Sequence, residues 1–191
     1  MPADAVRGLL AILGALAGVP ASAAGPALGE GDVLCFRPGP GAAECAGLGT
    51  ITATGKGVRT LRVQRLVAQF GLPMRTATVA RYRREDRLLC LEAGSVEVSI
   101  TPSNHGEAAR ARRDMLAHSE GLAEGGLCFD YVRCEGAIHA LAYRGGERDA
   151  SLDTRFTVLK AGDPAAATLK LRPVGRLAPV VLPPACRALM A

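Results

Sequence analysis

Read for alternation of apolar and polar positions, the chain is a series of short extended runs interrupted by one helical stretch. The run "SVEVSI" alternates cleanly, with Val96, Val98 and Ile100 on one face and Glu97 and Ser99 on the other, the period-two signature of a half-buried strand. Earlier, "GTITATGKGVRTLRVQRLVAQF" supplies threonine and β-branched residues on both sides of a glycine turn at Gly55 to Gly57, which reads as a hairpin. In its second arm Leu61 and Val63 share one parity while Leu66, Ala68 and Phe70 take the other, and this predicts a bulge or bend near Arg65. "TATVARYRREDRLLCLEAG" adds two extended runs around a polar turn at Glu85 and Asp86.

The helical stretch is "EAARARRDMLAHSE". Asn104 is placed as its N-cap with Glu107 three residues on, a capping-box spacing. Ala108, Ala111, Met115, His118 and Leu122 form one stripe, and Arg110, Arg113 and Asp114 face water. Beyond Gly125 and Gly126, "LCFDYVRC" and "AIHALAYR" flank a Glu135-Gly136 turn, and "DTRFTVLK" and "ATLKLRPV" give two further strands. The proline-rich tail from Pro173 to Pro184 is expected to wrap the surface before Cys186. About eight strands and one helix, with no helices between the strands, predict a mainly β domain (α+β being the neighbouring class). Its expected form is an antiparallel small barrel or curved sheet, stapled by disulfides, with the helix across one opening.

The N-terminus has a different pattern. Arg7 precedes an apolar run from Gly8 to Val19, then Pro20 and small residues, the order of a secretory signal. The run falls short of the roughly 20 residues needed to cross a bilayer. Residues 1–24 are read as a signal peptide cleaved after Ala23 or Ala24, and residues 25–191 as a single secreted β-rich domain, periplasmic or released. Export changes the meaning of six cysteines, Cys35, Cys45, Cys90, Cys128, Cys134 and Cys186, an even set expected to be oxidised. The Pro-Gly-Pro-Gly turn of "CFRPGPGAAEC" permits local pairing of Cys35 with Cys45. "CFDYVRC" has no turn former between its cysteines. As one strand it sets their α-carbons roughly 20 Å apart, beyond the roughly 7 Å that a disulfide spans. Cys128 and Cys134 are therefore expected to bond to different partners.

Charge and chemistry narrow the function less. The formal net charge is +5 and aromatic residues make up 4% of the chain, with no tryptophan. Few aromatics to stack bases, and arginines interspersed with acids in "RYRRED" and "RARRD", argue against nucleic acid as a partner. Among familiar signatures, CxxC, CxxCH, GxSxG, HExxH and a P-loop are all missing. No metal and no cofactor are expected, and arginine-rich edges favour a monomer. Pairing "CFDYVRC" with "AIHALAYR" across the two-residue turn sets Val132 opposite His139 and Asp130 opposite Leu141. Asp130 and His139 become diagonal neighbours, roughly 7–8 Å apart at the backbone, on the face that carries Cys128 and Cys134. Such a set is raw material for an acid–base pair or a metal site. His105 stands at the helix start, where free N–H groups could meet an anion. The leading expectation is a non-catalytic domain binding a small ligand or a cell-envelope component. The alternative is a periplasmic hydrolase or metal-dependent enzyme using Asp130 and His139, with His105 as a further candidate.

Overall fold

The computed structural model describes residues 27–39, 41, 43–69, 72–101, 106–174 and 180–187. The expected signal segment, the Asn104 cap and His105 lie outside these residues. One twelve-stranded sheet dominates. Its strands are β1 (Val33–Pro38), β2 (Glu44–Gly55), β3 (Val58–Gln69), β4 (Leu72–Glu85), β5 (Leu88–Leu91) and β6 (Glu97–Thr101). They continue as β7 (Leu127–Cys134), β8 (Ala137–Arg144), β9 (Glu147–Arg148), β10 (Thr154–Leu159), β11 (Lys170–Leu171) and β12 (Pro173–Val174). Helix α1 (Gly106–Glu124) lies between β6 and β7, and a single turn, α2 (Pro184–Arg187), follows the last strand.

The sheet closes on itself. β1, β2, β3, β4, β5, β7, β8 and β10 pair antiparallel in that order, and β10 pairs back onto β1. Closure removes the exposed edges that an open sheet would present. Two hairpins owe their register to residues that accept a left-handed backbone. Lys56 (φ 47°) and Gly57 (φ 77°) turn β2 into β3, and Glu135 (φ 50°) and Gly136 (φ 74°) turn β7 into β8. Positive φ at both central residues is the two-residue turn whose twist matches its flanking strands.

Two seams differ from the rest. β5 meets β7 through only Leu89↔Phe129 and Cys90↔Cys128, and the Cys90–Cys128 disulfide joins the second of these pairs directly. β2 leaves β3 beyond the Leu48↔Gln64 pair. There the chain near residue 172 fills the gap, β11 running parallel to β2 and β12 parallel to β3. The expected single strand "ATLKLRPV" is thus two short ones, preceded by a 3-10 turn at Pro164–Thr168 that Asp163 caps through the Ala165 N–H at 2.9 Å.

The bulge expected near Arg65 is not there. β3 and β4 pair without interruption from Val58↔Arg83 to Gln69↔Leu72, and the register shift lies in β2 between Ile51 and Ala53. At the end of β3, Leu66 and Val67 instead pair with β12, a neighbour strand the local pattern does not reveal.

Inside, one buried cluster joins Met74, Leu91, Val98 and Ile100 to Ala108, Ala111 and Ala123 of α1, and a second joins Leu34, Ile51, Ile138 and Phe156. Burying each leucine- or phenylalanine-sized chain contributes about 1.5–3 kcal/mol. α1 thereby covers one end of the barrel. A third cluster lies on the outer wall, where Leu182 and Cys186 of the C-terminal strap cover Leu141, and the Cys134–Cys186 disulfide fastens the strap. Cys35–Cys45 ties β1 to the start of β2.

Candidate functional site

The lumen is not packed solid. A cavity of about 320 Å³ occupies one half, walled by Leu34, Phe36, Ile51, Leu61, Leu89, Phe129, Ala140 and Phe156. A second, of about 370 Å³, lies toward α1, where Met115, His118 and Leu122 face Thr76, Thr78, Leu91 and Leu127. The two share Val63, Arg65, Tyr82, Phe129 and Leu152 as walls, so these residues form a waist between adjoining chambers. Each is near the lower end of the roughly 300–1,000 Å³ typical of small-molecule sites. Leu28 lies over the first chamber. Its segment is held down by Asp32, whose carboxylate accepts from the Gly29 N–H at 2.9 Å, the Ala161 N–H at 3.1 Å and the Lys160 ammonium at 2.8 Å.

The polar groups of this lumen are few and mostly cationic. β3 presents Arg59, Leu61, Val63 and Arg65 to the cavity, two guanidiniums bracketing two aliphatic chains on one face. Arg59 stands directly opposite Tyr82 of β4. Tyr131 of β7 lines the same chamber and packs edge-on against Phe156 with ring centroids 6.0 Å apart. Arg65 is enclosed by protein yet has an exposed surface, since it lines both chambers. That enclosure pushes its pKa down, with the neighbouring Tyr82 pulling the other way. Burial likewise lowers Arg59, with Arg84 adding to the effect and Tyr131 opposing it. Burial raises both tyrosines, which keeps them as neutral hydroxyls able to donate.

Room for Arg65 comes from across the sheet. A side chain at Gly47 would put its β-carbon 3.4 Å from Arg65 Cγ and 3.6 Å from Nε. Toward the same end Arg37 donates to the Asp153 carbonyl at 3.3 Å, and its pKa is lowered by burial and by Arg65, Arg155 and Arg172. The carboxylate of Asp153 is committed to the wall. It accepts from the Ala142 N–H at 3.0 Å and from the Arg148 guanidinium at 2.7 Å.

The residues that sequence singled out are elsewhere. Asp130 and His139 keep the register Asp130↔Leu141 and Val132↔His139, but Asp130 pairs with Arg87 at 3.2 Å. His139 is 2% exposed with its Nδ1 unpartnered, and burial followed by Arg155 lowers its pKa. The cysteines form Cys35–Cys45, Cys90–Cys128 and Cys134–Cys186, so no thiolate is on offer among the described residues. Glu85 approaches the sulfurs of Cys90 and Cys128, yet a disulfide lacks the charge that makes a metal-binding thiolate. Arg59, Arg65, Tyr82 and Tyr131 were missed. The signal that could have found them is the i, i+2 spacing of Arg59, Leu61, Val63 and Arg65, which puts charge and apolar bulk on one strand face.

No family model, curated protein or solved structure matches this chain.

Proposed function

We propose that the protein is an exported, non-catalytic binding domain whose lumen holds one small, largely apolar molecule. The carrying observation is the cavity inside a closed eight-stranded ring, apolar on most of its wall and interrupted by a few convergent polar side chains. Barrels of this strand number have an interior that either fills with side chains or admits one small ligand, and here space remains. Three disulfides fit an oxidising, extracellular environment. The secretory pattern of residues 1–24 supports export, with the periplasm as the compartment and residues 25–191 as one mature domain. Among the described residues no helix is long and apolar enough to cross a membrane.

A neutral apolar fluorophore, N-phenyl-1-naphthylamine, tests the reading without regard to charge. Saturable enhancement of its emission is expected, and it should be lost in Ala140→Phe, which fills the first chamber from a wall residue 3% exposed. Absence of saturable binding, or binding untouched by that filling, would sink the lumen as the site.

A further inference from the structure

We infer that the ligand is an amphipathic anion, with a carboxylate head on Arg65 at the waist, beside Tyr82, and an apolar body along Leu34, Leu61 and Phe156; this rests on the lumen being the binding site. Among the described residues Arg65 has neither a carboxylate partner nor a hydrogen-bond acceptor, whereas the buried carboxylates are matched: Asp32 with Lys160, and Asp153 with Arg148. A guanidinium lining an apolar chamber without a counter-charge keeps its full capacity for an anion that enters. The acid nearest to hand, Asp153, already has both oxygens engaged by Arg148.

The arrangement also fits the proposed head in shape. A guanidinium presents a planar fork that matches a carboxylate, and such charge-assisted bonds are the strong ones. Tyr82 and Tyr131 bring two more donors to the same wall, and neither hydroxyl is used within the protein among the described residues. Gly47 leaves space for the Arg65 side chain, and the buried Nε of Arg172, without a partner, adds positive field at that end. No acidic side chain in the first chamber is left to attract a cationic head: Asp153 is the one carboxylate among its described lining residues, and it is spent. The remaining wall is mostly aliphatic or aromatic, with the hydroxyls of Ser151 and Thr154 beside Asp153, and it suits a hydrocarbon chain or ring.

The test is competition against N-phenyl-1-naphthylamine on the oxidised mature protein, with decanoate, decan-1-ol and decyltrimethylammonium at neutral pH. Decanoate should displace the fluorophore at a concentration about tenfold or more below that of decan-1-ol, the scale of a charge-assisted bond, with the ammonium weakest. Arg65→Gln should erase the advantage of decanoate while leaving decan-1-ol unchanged, and Arg65→Lys should restore part of it. Tyr82→Phe provides an independent, partial loss if Arg65→Gln does not fold. Equal displacement by acid and alcohol, preference for the ammonium, or an acid preference indifferent to both variants would overturn the head-group assignment and leave the lumen reading standing. Failure of the fluorophore and of all three probes to bind would remove both.

Discussion

Gly49 sits mid-strand in β2, and a methyl group there has no room. A β-carbon at this position would lie 2.7 Å from Phe36 Cε2, 3.2 Å from Leu34 Cβ and 3.2 Å from Leu61 Cδ1, against roughly 3.5–4.0 Å for carbon atoms at their optimum. Leu34 Cβ is fixed to its backbone and cannot give way, and Phe36 and Leu61 must be pushed toward the first chamber. Leu34 is 2% exposed, and Phe36 is backed by the ring of Phe156 with centroids 5.4 Å apart. Inserting a methylene-sized group into such packing costs about 1–3 kcal/mol, while replacing a strand glycine with alanine returns about 0.5–1 kcal/mol. Gly49→Ala should therefore lose about 1–2 kcal/mol, or roughly 2–8 °C in Tm for a domain of this size. Gly55→Ala, at the end of the same strand with nothing within 4 Å, receives the backbone gain alone and should rise by roughly 1–3 °C. Thermal and urea unfolding of the two variants, with disulfides intact, measures both. A Gly49→Ala protein as stable as Gly55→Ala would refute the packing of β1 against β2 and β3.

Asp153, 3% exposed, holds the Ala142 N–H and the Arg148 guanidinium, so Asp153→Ala should cost about 3–5 kcal/mol in urea titration, where a surface pair such as Arg110–Asp114 should cost about 0.5 or less. Cys134→Ala with Cys186→Ala opens a loop of sequence separation 52 and should lower stability by up to about 4 kcal/mol on chain-entropy grounds, read as a drop in the denaturant midpoint. His139 binds its proton less readily folded than unfolded, since burial and then Arg155 lower its pKa. Stability should fall as pH drops below about 6.5 toward that lower value, and His139→Gln should flatten this limb in pH-dependent melting. For Asp32, burial alone would raise the pKa, but hydrogen bonds from Gly29, Lys160 and Ala161 bring it below its ordinary value. Its contribution is complete above about pH 4 and disappears as pH falls through the folded value, so Asp32→Asn should show a shallower acid limb below pH 4.

Much of the β architecture was legible because strand and turn signals are local. The alternation of Val96, Val98 and Ile100 appears as buried positions, with Glu97 and Ser99 exposed, and the Gly55–Gly57 and Glu135–Gly136 signals fall at the observed turns. The absence of a turn former in "CFDYVRC" correctly indicates one strand, β7. What was not legible is non-local. A bulge or bend was expected near Arg65 from the parity change after Val63, because an arginine on the parity of Leu61 and Val63 fits a regular strand only when the inner face is an open lumen rather than a solid core. Likewise, the partners of β11 and β12 depend on where β2 and β3 diverge, some hundred residues away along the chain, and nothing in "ATLKLRPV" encodes that gap. Asp130 and His139 drew attention by residue type, but register alone does not say that Arg87 occupies one and that the other is buried on the outer wall.

The narrow contact between β5 and β7 has a bearing on when the ring is covalently closed. Its two residue pairs are the fewest between neighbours in the ring, against three between β8 and β10, and the bond between Cys90 and Cys128 joins one of them. A newly made chain in a reducing compartment thus lacks the covalent latch at its shortest contact. There the ring is held between β5 and β7 by the Leu89–Phe129 and Cys90–Cys128 backbone pairs alone. Oxidation adds a covalent closure at the place where the ladder of the ring is shortest, so the sulfurs reinforce the circle where its hydrogen bonds do least.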